Sequence, residues 1–228
     1  NAASSTAGAT FTWTRALVAN ISNAAGSAPT GVINEILTST STAPVPVTYS
    51  ITTTANGCSN PQNIVVTVNP IPKLSSALNP AAICSGTTFN YTNTSATAGA
   101  TFSWVRVAAA GITSNAQNLG TGSSISEILT NSTTSPIEVT YQVTLNANGC
   151  SNTELVKVTV NPSAILTSTL TPAAICSGSN FVYTAISATA TTLFAWTRNA
   201  TIGISQATNS GNVASINEAL TNTTVSPI

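Results

Sequence analysis

The chain has no histidine, no aspartate and no methionine, and only ten of its 228 side chains are formally charged. Each absence removes a class of function. Without histidine or aspartate there is no Ser-His-Asp or Cys-His arrangement to activate a nucleophile. Paired-carboxylate glycoside hydrolysis needs two acids close together, and the five glutamates (Glu35, Glu127, Glu138, Glu154, Glu218) are scattered. Zinc needs clustered cysteine and histidine. Calcium needs about six to eight oxygens rich in carboxylate, which "VNPIPK" and "VNPSAI" do not offer. No catalytic residue, metal or cofactor is therefore expected. Five basic side chains balance the five acids, so there is no basic footprint for nucleic acid. No apolar run approaches the roughly 18–20 residues of a membrane-spanning helix. The opening "NAASSTAGATF" has neither the basic nor the apolar region of a signal peptide.

What the chain does have is repetition. "GATFTWTR" (8–15), "GATFSWVR" (99–106) and "TLFAWTR" (192–198) place Trp13, Trp104 and Trp196 at steps of 91 and 92. "INEILT" (33–38), "ISEILT" (125–130) and "INEALT" (216–221) follow at similar steps. "NPAAICSG" (79–86) returns as "TPAAICSG" (171–178), "TANGCSN" (54–60) as "NANGCSN" (146–152), and "VTVNP" occurs at 66–70 and 158–162. The period exceeds the roughly 20–50 residues of helical and β-helical repeats and suits a complete β-sandwich of about 100 residues. Phasing on "VTVNP" gives modules 1–69, 70–161 and 162–228. The first is expected to lack its opening strands and the third its closing ones, as in a window cut from a longer array.

Inside a module the hydrophobic period is two. In "VTYQVTL" Val139, Tyr141, Val143 and Leu145 face one way and Thr140, Gln142 and Thr144 the other. Val156, Val158 and Val160 repeat the pattern, and "FNYT" (89–92) and "FVYT" (181–184) pair aromatics on one face. Asn148-Gly149 is a strong two-residue hairpin signal. No segment supports a helix of ten residues, so the expected fold is all-β: tandem immunoglobulin-like (PKD-like) sandwiches of about 92 residues. Residues 70–161 should hold at least seven strands in two antiparallel sheets around Phe89, Tyr91, Trp104, Tyr141 and Val158.

In this order, "ICSG…FNYT", "ATFSWVR", "ISEILTN", "PIEVTYQVT", "NANGC" and "VKVTVNP" resemble the PKD-like and immunoglobulin-like tandem repeats of large Bacteroidota surface adhesins. The resemblance implies a long extracellular stalk or filament, exported by the type IX system and used in gliding or attachment. One departure is that each tryptophan leads into "WTR" or "WVR" rather than the "WDFGDG"-like turn of typical PKD domains.

Two constellations recur. Arg15, Arg106 and Arg198 follow each tryptophan by two residues, and Glu35, Glu127 and Glu218 each sit between an isoleucine and a leucine two positions away. Both positions are in the inward register, where an unpaired charge costs several kcal/mol, on the order of 3–5. Structural ion pairs Arg15–Glu35, Arg106–Glu127 and Arg198–Glu218 are expected. The cysteines also recur, one before the second strand (Cys84, Cys176) and one in the last hairpin (Cys58, Cys150). Regular use of two per module points to disulfides outside the cytoplasm. Two pairings fit: a bond between neighbouring modules, or Cys84–Cys150 within one module. The expected role is a structural repeat segment of an extracellular, cell-surface fibre, stalk or adhesin. Its partners are neighbouring repeats, with no nucleic acid and no membrane span in this segment. The alternative is an adhesive module that binds surface glycans.

Overall fold

The computed structural model describes residues 1–114 and 118–228. Among the described residues strands are the only regular elements, because Thr- and Val-rich alternation fits a half-buried pleated surface and offers no face with a 3.6-residue period. In the centre lie eight strands: β5 (Ile83–Cys84), β6 (Thr87–Thr92), β7 (Thr101–Arg106), β8 (Ile112–Ser114), β9 (Leu119–Thr121), β10 (Ser124–Asn131), β11 (Ile137–Ala147) and β12 (Cys150–Asn161). They form one sheet in the order β6-β10-β8 and a second in the order β5-β12-β11-β7-β9.

The facing sides of the two sheets make the core. Val139, Tyr141, Val143 and Leu145 of β11, with Val156, Val158 and Val160 of β12, are fully buried against Phe89, Tyr91, Trp104, Ile125 and Leu129. The Tyr141 ring lies 5.4 Å from Phe89 and 5.7 Å from Trp104, the latter edge-on at 69°. Neighbouring strands run antiparallel with one exception: β5 runs parallel to the end of β12, with Ile83 opposite Val160 and Cys84 opposite Asn161. The chain follows β12's edge for two residues before crossing to the other sheet as β6, so the expectation of purely antiparallel sheets is corrected there. Between β11 and β12, Asn148 and Gly149 both take positive φ, 51° and 78°. That is the geometry of the tight primed turn, and it registers Ala147 against Cys150.

N-terminal to this sandwich, β1 (Thr10–Arg15), β2 (Gly26–Ala28), β3 (Val45–Ala55) and β4 (Cys58–Val68) form one sheet in the order β2-β1-β3-β4. It repeats the larger central sheet. Trp13 pairs with Ala28 as Trp104 pairs with Gly120, and the Trp13 and Tyr49 rings meet edge-on at 5.7 Å and 67°. C-terminal to the sandwich, β13 (Asn180–Thr184) pairs with β16 (Ser215–Ala219), and β14 (Trp196–Arg198) pairs with β15 (Asn209–Gly211).

Candidate functional site

Two places gather what little polar chemistry the chain has: the interior of each set of strands, and the connection between β4 and the central sandwich.

In the interior, the inward register of β7 and β10 brings Arg106 and Glu127 together across the two sheets. Arg106 Nε donates to Glu127 Oε2 at 3.0 Å, with side-chain exposures of 11% and 0%. Tyr141 on β11 donates its hydroxyl to the same oxygen at 2.5 Å. The N-terminal sheet repeats this group. Arg15 Nε and Nη2 donate to the two Glu35 oxygens at 2.9 and 3.0 Å, and Tyr49 donates to Glu35 Oε2 at 2.7 Å. Arg15 also caps Ala24 O at 2.6 Å. Among the C-terminal strands, Arg198 Nε meets Glu218 Oε2 at 2.9 Å, and Asn209 Nδ2 donates to Glu218 Oε1.

These contacts set the ionisation of the groups. The Arg15 guanidinium holds the Glu35 carboxyl below its ordinary range, against the opposing effect of burial. For Glu218 the Asn209 amide is the main cause of the same downward shift. Burial, reinforced by the hydrogen bond to Glu127, pushes the Tyr141 hydroxyl well above its ordinary value. Each arginine–glutamate pair is held by hydrogen bonds within the fold. Among the described residues Glu127 Oε1 and Trp104 Nε1 are buried without a hydrogen-bond partner, whereas Trp13 Nε1 donates to Val32 O at 3.0 Å. Sequence pattern marks the arginines and glutamates but misses the tyrosines. Tyr141 reads as an apolar core position, although the recurrence of "VTY" 92 residues apart, at Tyr49 and Tyr141, could have flagged both.

At the connection, residues 69–74 are pinned to β12 and its hairpin. Asn69 Nδ2 donates to Asn148 O at 2.7 Å, Asn152 Nδ2 to Pro72 O at 3.0 Å, and Leu74 N to Glu154 Oε2 at 2.6 Å. Pro70 and Pro72 stiffen the segment, since proline fixes its own φ. Glu154 thus spends its carboxylate on a backbone amide 80 residues away in sequence. The remaining close charge pair, Lys157–Glu138 at 2.8 Å, is 41% and 54% exposed and contributes about 0–1 kcal/mol.

All four cysteines are free thiols; Cys58, Cys84 and Cys176 are exposed and Cys150 is half-buried. Cys150 opens β12 and Cys84 lies beside Asn161, which closes it. Eleven strand steps separate them, roughly 36 Å at about 3.3 Å per residue, against the roughly 7 Å a disulfide tolerates between Cα atoms. The alternative of a Cys84–Cys150 bond inside one module is excluded by this topology. Cys150 lies instead at the end of a groove lined by Val68 and Asn69, across the connection.

Two stretches of the chain, residues 1–72 and 81–164, match the model of the PKD-like domain. The chain belongs to the PKD-like domain family. No curated protein matches it. PKD-like domains are generally non-catalytic and are typically found in extracellular proteins. Among the described residues no group of three or more His, Cys, Asp or Glu side chains could hold a metal ion. No described helix is long and apolar enough to cross a membrane.

Proposed function

We propose that this PKD-like segment is a run of structural repeats in an extracellular stalk, fibre or adhesin, supplying reach and stiffness. In this reading residues 1–69, 70–161 and 162–228 are successive modules. The first is without the strands equivalent to β5 and β6, and the third is without those equivalent to β11 and β12. The Arg–Glu and Arg–Glu–Tyr groups are internal fastenings, one per module.

The observation that carries the reading is the pinned connection. A linker of a few residues holding two prolines and three hydrogen bonds to the module it enters transmits orientation as well as tension. The glycan-binding alternative gains no support from the tryptophans: Trp13 and Trp104 are buried in their cores and Trp196 is half-buried beside Gly211.

Electron microscopy of the native protein tests the proposal. The expected images are rods of beads with a narrow distribution of angles between neighbours. Removing the pinning side chains (Asn152→Ala with Glu154→Ala) should broaden that distribution. A native protein with no further repeats, or freely jointed beads before mutation, would refute it.

A further inference from the structure

The same side chains are buried in one sheet and bare in another. Val156 and Val158 of β12 are 0% exposed, while their counterparts 92 residues earlier, Ile64 and Val66 of β4, are 50% and 42% exposed. Ile64 and Val66 line a groove with Ile33, Leu37 and Tyr49 that ends at Asn69 and Cys150. In the central sandwich the corresponding space is filled by β5 and β6. β6 lies antiparallel to β10, with Tyr91 opposite Ile125 and Phe89 opposite Glu127. β5 lies parallel to β12, with Ile83 opposite Val160 and Cys84 opposite Asn161.

Shifting each position by the 92-residue period defines the occupant. A strand seated in the groove places a tyrosine opposite Ile33, a phenylalanine opposite Glu35, an isoleucine opposite Val68 and a cysteine opposite Asn69. Asn69 is the residue whose amide holds the Asn148 carbonyl, and Cys150 lies two positions on, at the same end of the groove. We propose that the groove accepts an Ile-Cys-Ser-Gly-x-x-Phe-x-Tyr segment from the opening strands of its own module, and that this segment's cysteine forms a disulfide with Cys150. The module is thereby completed and stapled to its neighbour at one point. By the same period, Cys84 is the half of the staple that meets the hairpin cysteine of the following repeat. This rests on the tandem-array reading above.

The chemistry is thiol–disulfide exchange. Each thiol gives up its proton, and the two electrons pass to a disulfide-bearing carrier, which becomes a dithiol as the Sγ–Sγ bond forms.

The test uses the full 228-residue chain and a peptide of residues 80–94 whose cysteine is carried as a mixed disulfide with glutathione. Attack by the Cys150 thiolate on the peptide sulfur joins the two and releases glutathione. Peptide mapping then reads which of the four cysteines carries the peptide. Docking should favour Cys150 by about tenfold or more over Cys58, Cys84 and Cys176, because it makes the attack effectively intramolecular. A peptide with serine in place of Phe89 and Tyr91 should lose that preference. Equal labelling of the four, or a preference unchanged by the serines, overturns the proposal. The array reading fails on a different result: a native protein whose mass, denatured and reduced, leaves no room for another repeat.

Discussion

Replacing Glu127 by alanine removes one carboxylate and strands two partners. The Arg106 guanidinium, with 11% of its side chain exposed, keeps its charge without a counter-ion. The Tyr141 hydroxyl, on a residue with 0% exposure, loses its acceptor. Breaking a buried pair from one side costs about 3–5 kcal/mol. Tyr141→Phe keeps the ring against Phe89 and Trp104 and removes a single hydrogen bond to a charged group, about 1.5–3 kcal/mol. Combined, the two changes should fall short of their sum by about 0.5–3 kcal/mol, because they share one oxygen. Amide hydrogen exchange across Val139–Leu145 isolates the central sandwich from the strands on either side. At about 1.4 kcal/mol per factor of ten, Glu127→Ala should speed that exchange by roughly two to three and a half powers of ten. The exposed Glu138→Ala, which breaks the surface pair with Lys157, should cost about 0–1 kcal/mol. If the two glutamate substitutions prove equivalent, the buried pair is not what holds the two sheets in register.

Three further outcomes are expected. Acidification should loosen the N-terminal and C-terminal strands as their carboxylates protonate. Glu35 and Glu218 have folded-state values held below the ordinary 4.5, so their contribution is complete above about pH 4.5 and is lost as pH falls through the folded values. Hydrogen-exchange protection of β1 and β16, taken relative to the intrinsic exchange rate at each pH, reads this between pH 7 and 3, and protection that rises on acidification would contradict it. At Gly120 a Cβ would fall 2.5 Å from the Trp104 ring, so Gly120→Val should cost about 1–3 kcal/mol by overpacking. Denaturant titration measures this, and a neutral result would mean that the ring shifts freely. Asn152→Ala should leave the exchange of β11 unchanged while raising the exchange of Leu74's amide, since it removes one pin of the connection and no core contact.

The fold was legible wherever one face of a sheet is buried. The alternation along Val139–Leu145 and Val156–Val160 is the direct imprint of two packed sheets, and every inward position named from it is fully buried. The three arginines and three glutamates were legible for the same reason, since a charge in an apolar register must find its opposite. What escaped was set by contacts distant in sequence or too short to leave a period. The tyrosine hydroxyls meet their glutamates only after the sheets close. The three-residue strands β2, β8 and β9 carry no alternation. Glu154 carried no signal of its role because its partner, the Leu74 amide, lies on the incoming connection. The topology also argues against one of the two cysteine pairings, the bond inside a module, by setting Cys84 and Cys150 at opposite ends of one twelve-residue strand.

Drawing six of the ten charges into internal pairs leaves the outside electrically quiet. A surface whose polar side chains are mostly threonine, serine and asparagine, with four charges left, sets up almost no field for salt to screen. Two such chains lying side by side would feel little electrostatic repulsion even at low ionic strength. Any contact with a neighbour or a charged surface would then depend on groups at touching distance, with little long-range attraction or repulsion for salt to change.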